Sequence, residues 1–209
     1  HQRLNREMAR QSIVLLKNDG ILPLRGDERI AVIGPNADSK TILLGNYNGT
    51  RPRYTTLLRG IQDAATGRVT YARGCHLFRD KLGGWEEHPL REAIIAAKNS
   101  DVVVMCMGLD PTLEGEEGDA YNGFSSGDKI DLELPAIQKQ LYHEIVKLGK
   151  PIVFVNVSGS CVSLVEQDRD CGAVIQCFYP GAEGGGALAD ILFGKVSPSG
   201  RLPVTFYKS

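Results

Sequence analysis

Short continuous apolar runs that alternate with amphipathic helical stripes constrain this chain more than any other feature. AVIGP, DVVVMCMGL, PIVFVNV and GAVIQCF have strand length, are rich in Val and Ile, and do not alternate polar with apolar. Runs of this kind suit strands buried on both faces, as in parallel sheets covered by helices. The segments between them have the other period. Leu90, Ala93, Ile94 and Ala97 recur at i, i+3, i+4, i+7, and Leu134, Ile137, Leu141, Ile145 and Leu148 make a second stripe.

The pattern predicts an α/β fold, a three-layer α/β/α sandwich with a mostly parallel sheet of about five or six strands. Strands are expected at Arg29 to Ile33, Val69 to Tyr71, Asp101 to Met107, Pro151 to Val157 and Ala173 to Phe178. Besides the two stripes, helices are expected at Gln2 to Lys17, Leu57 to Ala65 and Gly185 to Leu192. Pro135 suits a first helical turn, and Gly149 before Lys150 and Pro151 supplies a stop. No repeat or composition shift divides the 209 residues, so residues 1–209 are expected to form a single domain.

With 24 basic and 25 acidic residues the formal charge is -1, which gives no electrostatic ground for binding nucleic acid or an anionic membrane. No apolar run approaches the roughly 18 to 20 residues of a membrane span. The five cysteines are an odd number, lie mostly in or beside apolar runs and have no CxxC spacing. They predict neither a disulfide framework nor a zinc site, and they point to a reducing compartment such as the cytoplasm. The chain opens in a helical pattern without Met and closes in an extended apolar segment, which reads as a piece cut from a longer polypeptide.

Two polar, glycine-rich stretches, Gly45 to Tyr54 and Leu113 to Lys129, are longer than ordinary connections, and long loops on an α/β scaffold commonly carry function. After the Asp101 to Met107 strand come five carboxylates within ten residues, Asp110, Glu114, Glu116, Glu117 and Asp119. Like charges held close raise one another's pKa, so one of the group can stay protonated as a general acid. A solvated loop or a calcium loop are the other readings of that density. GNYNGTRPRY carries aromatic and amide groups of the kind that line sugar sites, including Asn46, Tyr47 and Asn48, and reads equally as a surface turn.

Gly181 and Gly184 to Gly186 precede a helix, where they could hold an anion or simply let strand and helix pack closely. No Walker or GxGxxG pattern accompanies them. IGPNAD looks like a strand end followed by a turn and a helix cap through Asn36 or Asp38, or a structural turn alone. The serine of VSGSC stands at a strand end, but no histidine partner can be named for it.

Taken together, ARQSIVLLKNDGILPL, RIAVIGPNAD, LGNYNGTRPRYTTLLRGI, SDVVVMCMGLDPTLEGEEGD, DKIDLELPAIQKQLYHEIVKLGKPIVFVNVSGS and PGAEGGGALADILFGKVSPSGRLPVTF resemble glycoside hydrolase family 3, specifically its second, C-terminal α/β sandwich domain. The resemblance runs the whole chain. It implies a retaining β-glycosidase in which an absent N-terminal (β/α)8 barrel supplies an aspartate nucleophile and this domain supplies a glutamate acid/base. Aligning LEGEE with the family's IEAEG form puts Glu116 on the acid/base, ahead of Glu114 and then Glu117. Asp128 and Lys129 match the family's Asp-Arg pair, with lysine replacing arginine and an insertion before it, so Asp128 joins Asn46, Tyr47 and Asn48 as a substrate-binding candidate.

The GNYNG loop and the LEGEE form look most like the xylosidase and arabinosidase side of the family. The implied substrates are terminal β-xylosides or β-glucosides, as oligosaccharides or aryl glycosides, and the implied chemistry needs no metal or organic cofactor. Without its barrel the domain is expected to be inactive and to expose an apolar face through which it could self-associate. A non-catalytic carbohydrate-binding or scaffolding module is the alternative. A nucleotide-binding domain is disfavoured by the missing phosphate motifs.

Overall fold

The computed structural model describes residues 1–45, 48–79, 89–115 and 129–208. In chain order the elements are α1 (Gln2–Ser12), β1 (Val14–Asn18), β2 (Ile30–Ile33), a 3-10 turn (Thr41–Leu43), α2 (Leu57–Ala64), β3 (Val69–Ala72), α3 (Pro89–Lys98), β4 (Val102–Gly108), α4 (Ala136–Val146), β5 (Ile152–Val157), α5 (Val165–Asp170), β6 (Ala173–Gln176) and α6 (Gly184–Leu192). Six strands form one sheet in the order β1-β6-β5-β4-β2-β3, parallel except where β1 runs antiparallel to β6. The sandwich expected from the alternation of runs and stripes is the fold observed.

Successive side chains of the central strands serve opposite layers. Val102, Val104 and Cys106 of β4 pack with Val153, Val155 and Ile175 under α1, α2 and α6. Val103, Met105 and Met107 join Phe154 and Val174 under α3 and α4. Every residue of β4 and β5 is buried, which explains why their sequences read as unbroken apolar runs.

The helix expected over Gln2 to Lys17 is corrected by the structure. The helix stops at Ser12, and Val14–Asn18 pairs with β6, Val14 opposite Gln176 and Asn18 opposite Ala173. The apolar residues Ile13, Val14, Leu15 and Leu16 satisfy either period, and the open edge of β6 decides for strand. α5, six residues long, is too short to show a stripe. Pro135 stands at the N-cap of α4, and Gly149, at φ +63°, ends the connection to β5.

Arg6 and Arg10 of α1 fasten that helix to α6 through Asp190. Four N–H···O bonds of 2.6 to 2.8 Å run from the two guanidiniums to one carboxylate, which is buried. α2 and α6 cross with their backbones touching: a Cβ on Gly60 would lie 2.0 Å from Gly185 O, and one on Gly185 1.9 Å from Thr56 O. Close packing of helix on helix, where strand on helix was expected, therefore explains Gly185 in the first turn of α6. Gly60→Ala is expected to lower unfolding stability by about 3 kcal/mol, because the contact is backbone and has no rotamer to yield. The urea midpoint should fall with an unchanged slope, and an unmoved midpoint would contradict this crossing.

Candidate active site

β4 delivers the chain to the acidic segment, and its last residues are fixed from several sides. Gly108 leaves the strand at φ +132° where a Cβ would stand 2.1 Å from Val157 O, so only glycine fits. The buried Gln138 amide of α4 donates Nε2 to Gly108 O (2.6 Å) and accepts from Gly108 N at Oε1 (2.9 Å). Leu109 N donates to Val157 O at 2.7 Å, and the buried Asn36 donates Nδ2 to Leu109 O at 2.7 Å. Asn36 thus braces a loop and caps no helix. Asp38 accepts from Thr56 Oγ1 at 2.8 Å, while Thr56 itself caps α2 by accepting from Arg59 N, so IGPNAD is a structural turn.

Beyond Leu109, Asp110 closes a local turn by accepting from Thr112 N (2.9 Å) and Thr112 Oγ1 (2.6 Å). Glu114 then reaches across the sheet edge to the turn after β5. Its Oε2 accepts from Gly159 N at 2.7 Å and its Oε1 from Ser160 N at 2.9 Å. Ser160 Oγ donates to Oε1 as well, and Tyr179 Oη donates to Oε2. Tyr179 follows Phe178, a bulky residue held at φ +51°, a conformation that persists only where its surroundings enforce it. Burial, then the Glu114 charge, push the Tyr179 hydroxyl far above its ordinary pKa, so it stays a donor.

The turn that receives Glu114 rests on a buried polar network. Asn156 Nδ2 donates to Gln176 Oε1 (2.6 Å) and Ser158 Oγ (3.0 Å), and Gln176 Nε2 donates to Ser158 O (2.9 Å). Ser158 Oγ in turn donates to Ser160 O at 2.8 Å. The serines of VSGSC therefore hold the turn and the Glu114 side chain, a role that has no need of histidine. Half-buried Lys129 donates Nζ to Cys161 O. Burial lowers the pKa of this lysine while the nearby Glu114 carboxylate opposes the shift.

Of the residues singled out from the sequence, Glu114 lies in this assembly. Glu116, Glu117, Asp119, Asn46, Tyr47 and Asp128 fall outside the described residues. Asn48 is exposed and donates Nδ2 to Gly45 O at 2.9 Å. Tyr179 and Ser160 had no motif to announce them; the one usable signal was a Ser-Gly-Ser turn directly after a buried strand.

A crevice of about 460 Å3 opens beyond the carboxyl ends of β2, β3 and β4, lined among others by Asp38, Arg73, His76, Arg79 and Asp110. The chain turns from β2 to β3 on one side and continues as β4 on the other, and such switch points are where open α/β sheets bind ligands. Among the described residues no group of three His, Cys, Asp or Glu side chains could hold a metal ion. All five thiols are free. Burial pushes Cys75 and Cys177 up to about 12 and Cys171 to about 11, which makes them unreactive packing residues.

The family model described as the glycosyl hydrolase family 3 C-terminal domain matches residues 13–209. A periplasmic beta-glucosidase of Salmonella typhimurium is 35% identical over 100% of this chain and 29% of its own length. Beta-D-xylosidase 3 of Arabidopsis thaliana is 36% identical over 99% of this chain and 25% of its own length. The solved β-glucosidase of Erythrobacter marinus superposes with a TM-score of 0.82 at 35% identity, covering 100% of this chain and 30% of that one. The chain thus spans less than a third of these relatives, and it belongs to glycoside hydrolase family 3 as its C-terminal domain.

Proposed function

We infer that this domain carries the acid/base carboxyl of a retaining β-glycosidase, that Glu116 is that group, and that the substrates are terminal β-xylosides or β-glucosides. The observation that carries this reading is the anchoring of Glu114 at the carboxyl edge of the sheet, two residues before Glu116 in the chain. With its oxygens engaged by main-chain and hydroxyl donors, Glu114 is suited to holding the segment, which leaves Glu116 for proton transfer. The β-glucosidase and β-xylosidase relatives supply the substrate class.

In the first step Glu116 donates its proton to the glycosidic oxygen as that bond breaks, and an aspartate from the N-terminal barrel bonds to the anomeric carbon. In the second, Glu116, now ionised, takes a proton from water as the water oxygen displaces the aspartate. The two carboxyl groups must then stand about 5 to 5.5 Å apart across the domain boundary. Proton NMR of the full-length enzyme acting on an aryl β-xyloside or β-glucoside is expected to show the β-hemiacetal before the α. An α-anomer formed first would overturn the retaining assignment. This domain without its barrel is expected to release no aglycone.

A further inference from the structure

The segments on either side of Glu116 in the sequence are fastened to the same three residues. Before it, Glu114 binds Gly159 N, Ser160 N and Ser160 Oγ. After it, Lys129 Nζ binds Cys161 O. Each anchor is itself secured: Asn156, Gln176 and Ser158 hold the turn from below, and Tyr179, the residue after strained Phe178, holds the outer oxygen of Glu114. Glu114 and Lys129 also lie close enough for their charges to interact.

We propose that the Gly159 to Cys161 turn is a clamp that positions the acid/base, with Glu114 and Lys129 as its two positioning residues and Tyr179 as the brace on Glu114. The proposal rests on the reading of Glu116 as the proton donor. Proton transfer demands close geometry, and a misplacement of about 1 Å can cost 100-fold in rate. A loosened clamp slows glycosylation by substrates whose leaving group needs a proton and spares that step for substrates whose leaving group needs none.

The test uses the full-length enzyme with Glu114→Gln, Tyr179→Phe, Lys129→Met and Lys129→Arg, and with Glu116→Ala in parallel. The number of competent sites is counted by titration with a 2-deoxy-2-fluoro glycoside, so that loss of fold is separated from loss of rate. Glu114→Gln and Lys129→Met are expected to lose about 10- to 100-fold in kcat/KM, which reads the glycosylation step, on a disaccharide and less than about threefold in kcat/KM on a dinitrophenyl glycoside. Tyr179→Phe should lose less, in the same pattern, and Lys129→Arg should stay within about threefold of the parent on both. Equal losses on both substrates at full site occupancy would overturn the clamp. If Glu116→Ala discriminates between leaving groups and the clamp variants do not, the clamp fails while Glu116 stands. If Glu116→Ala does not discriminate, or Glu114→Gln alone does, the reading of Glu116 fails and takes the clamp with it.

Discussion

In the full-length enzyme, Glu116→Ala is expected to slow hydrolysis of an unactivated disaccharide by about 100- to 10,000-fold, the range of a lost general acid and base. A dinitrophenyl glycoside should suffer far less in the glycosylation step, because its phenolate departs without a proton. With such a substrate the slow step becomes attack of water on the glycosyl-enzyme, which has lost its base. Azide is a nucleophile that needs no deprotonation and should restore turnover. Equal losses on both substrates, with no response to azide, would contradict proton transfer by Glu116.

Removal of Asp190 is the substitution expected to cost the most stability apart from the glycine crossing. Asp190→Ala should destabilise the domain by roughly 2 to 3 kcal/mol, below the usual cost of breaking a buried ion pair because the two arginines that remain can reach water. The same carboxylate gives a defined pH dependence. Burial alone would raise its pKa, but the guanidiniums of Arg6 and Arg10 outweigh burial and hold it below the ordinary value. A folded-state pKa that is depressed contributes stability present in full above the unfolded pKa of about 4, and that contribution is lost as pH falls through the folded value. Urea midpoints of the parent should therefore be level in this component at neutral pH and fall below about pH 4. Asp190→Asn should start lower and converge on the parent in acid. Parallel curves would show that another group carries the acid sensitivity.

The central sheet was legible because β4 and β5 are buried on both faces, and an unbroken Val- and Ile-rich run has few other uses in a globular domain. β1 was not, because Ile13 to Leu16 fit a helical stripe as well as a strand and only the exposed edge of β6 distinguishes them. Glu114 stood out in the sequence as one carboxylate among several, yet the contacts it makes did not. Whether Glu114 holds the chain or donates a proton depends on Gly159, Ser160 and Tyr179, 45 to 65 residues away in sequence, and nothing local to LEGEE encodes that encounter. Gly185 read as a residue for packing strand against helix, whereas the structure uses it to let α6 cross α2, and its partners Thr56 and Gly60 became evident only from that helix crossing.

Glu114→Ala, Glu116→Ala and Glu117→Ala in the full-length enzyme, each incubated with an activated β-glycoside and sodium azide and analysed by NMR for glycosyl azide, test the assignment of the proton donor most directly. The expected result is a β-configured glycosyl azide from Glu116→Ala alone, since only there does the small anion enter the space of the missing carboxylate beside the covalent intermediate. Formation of that product by the Glu114 or Glu117 variant, or its absence with Glu116→Ala, would contradict Glu116 as the acid/base of this domain.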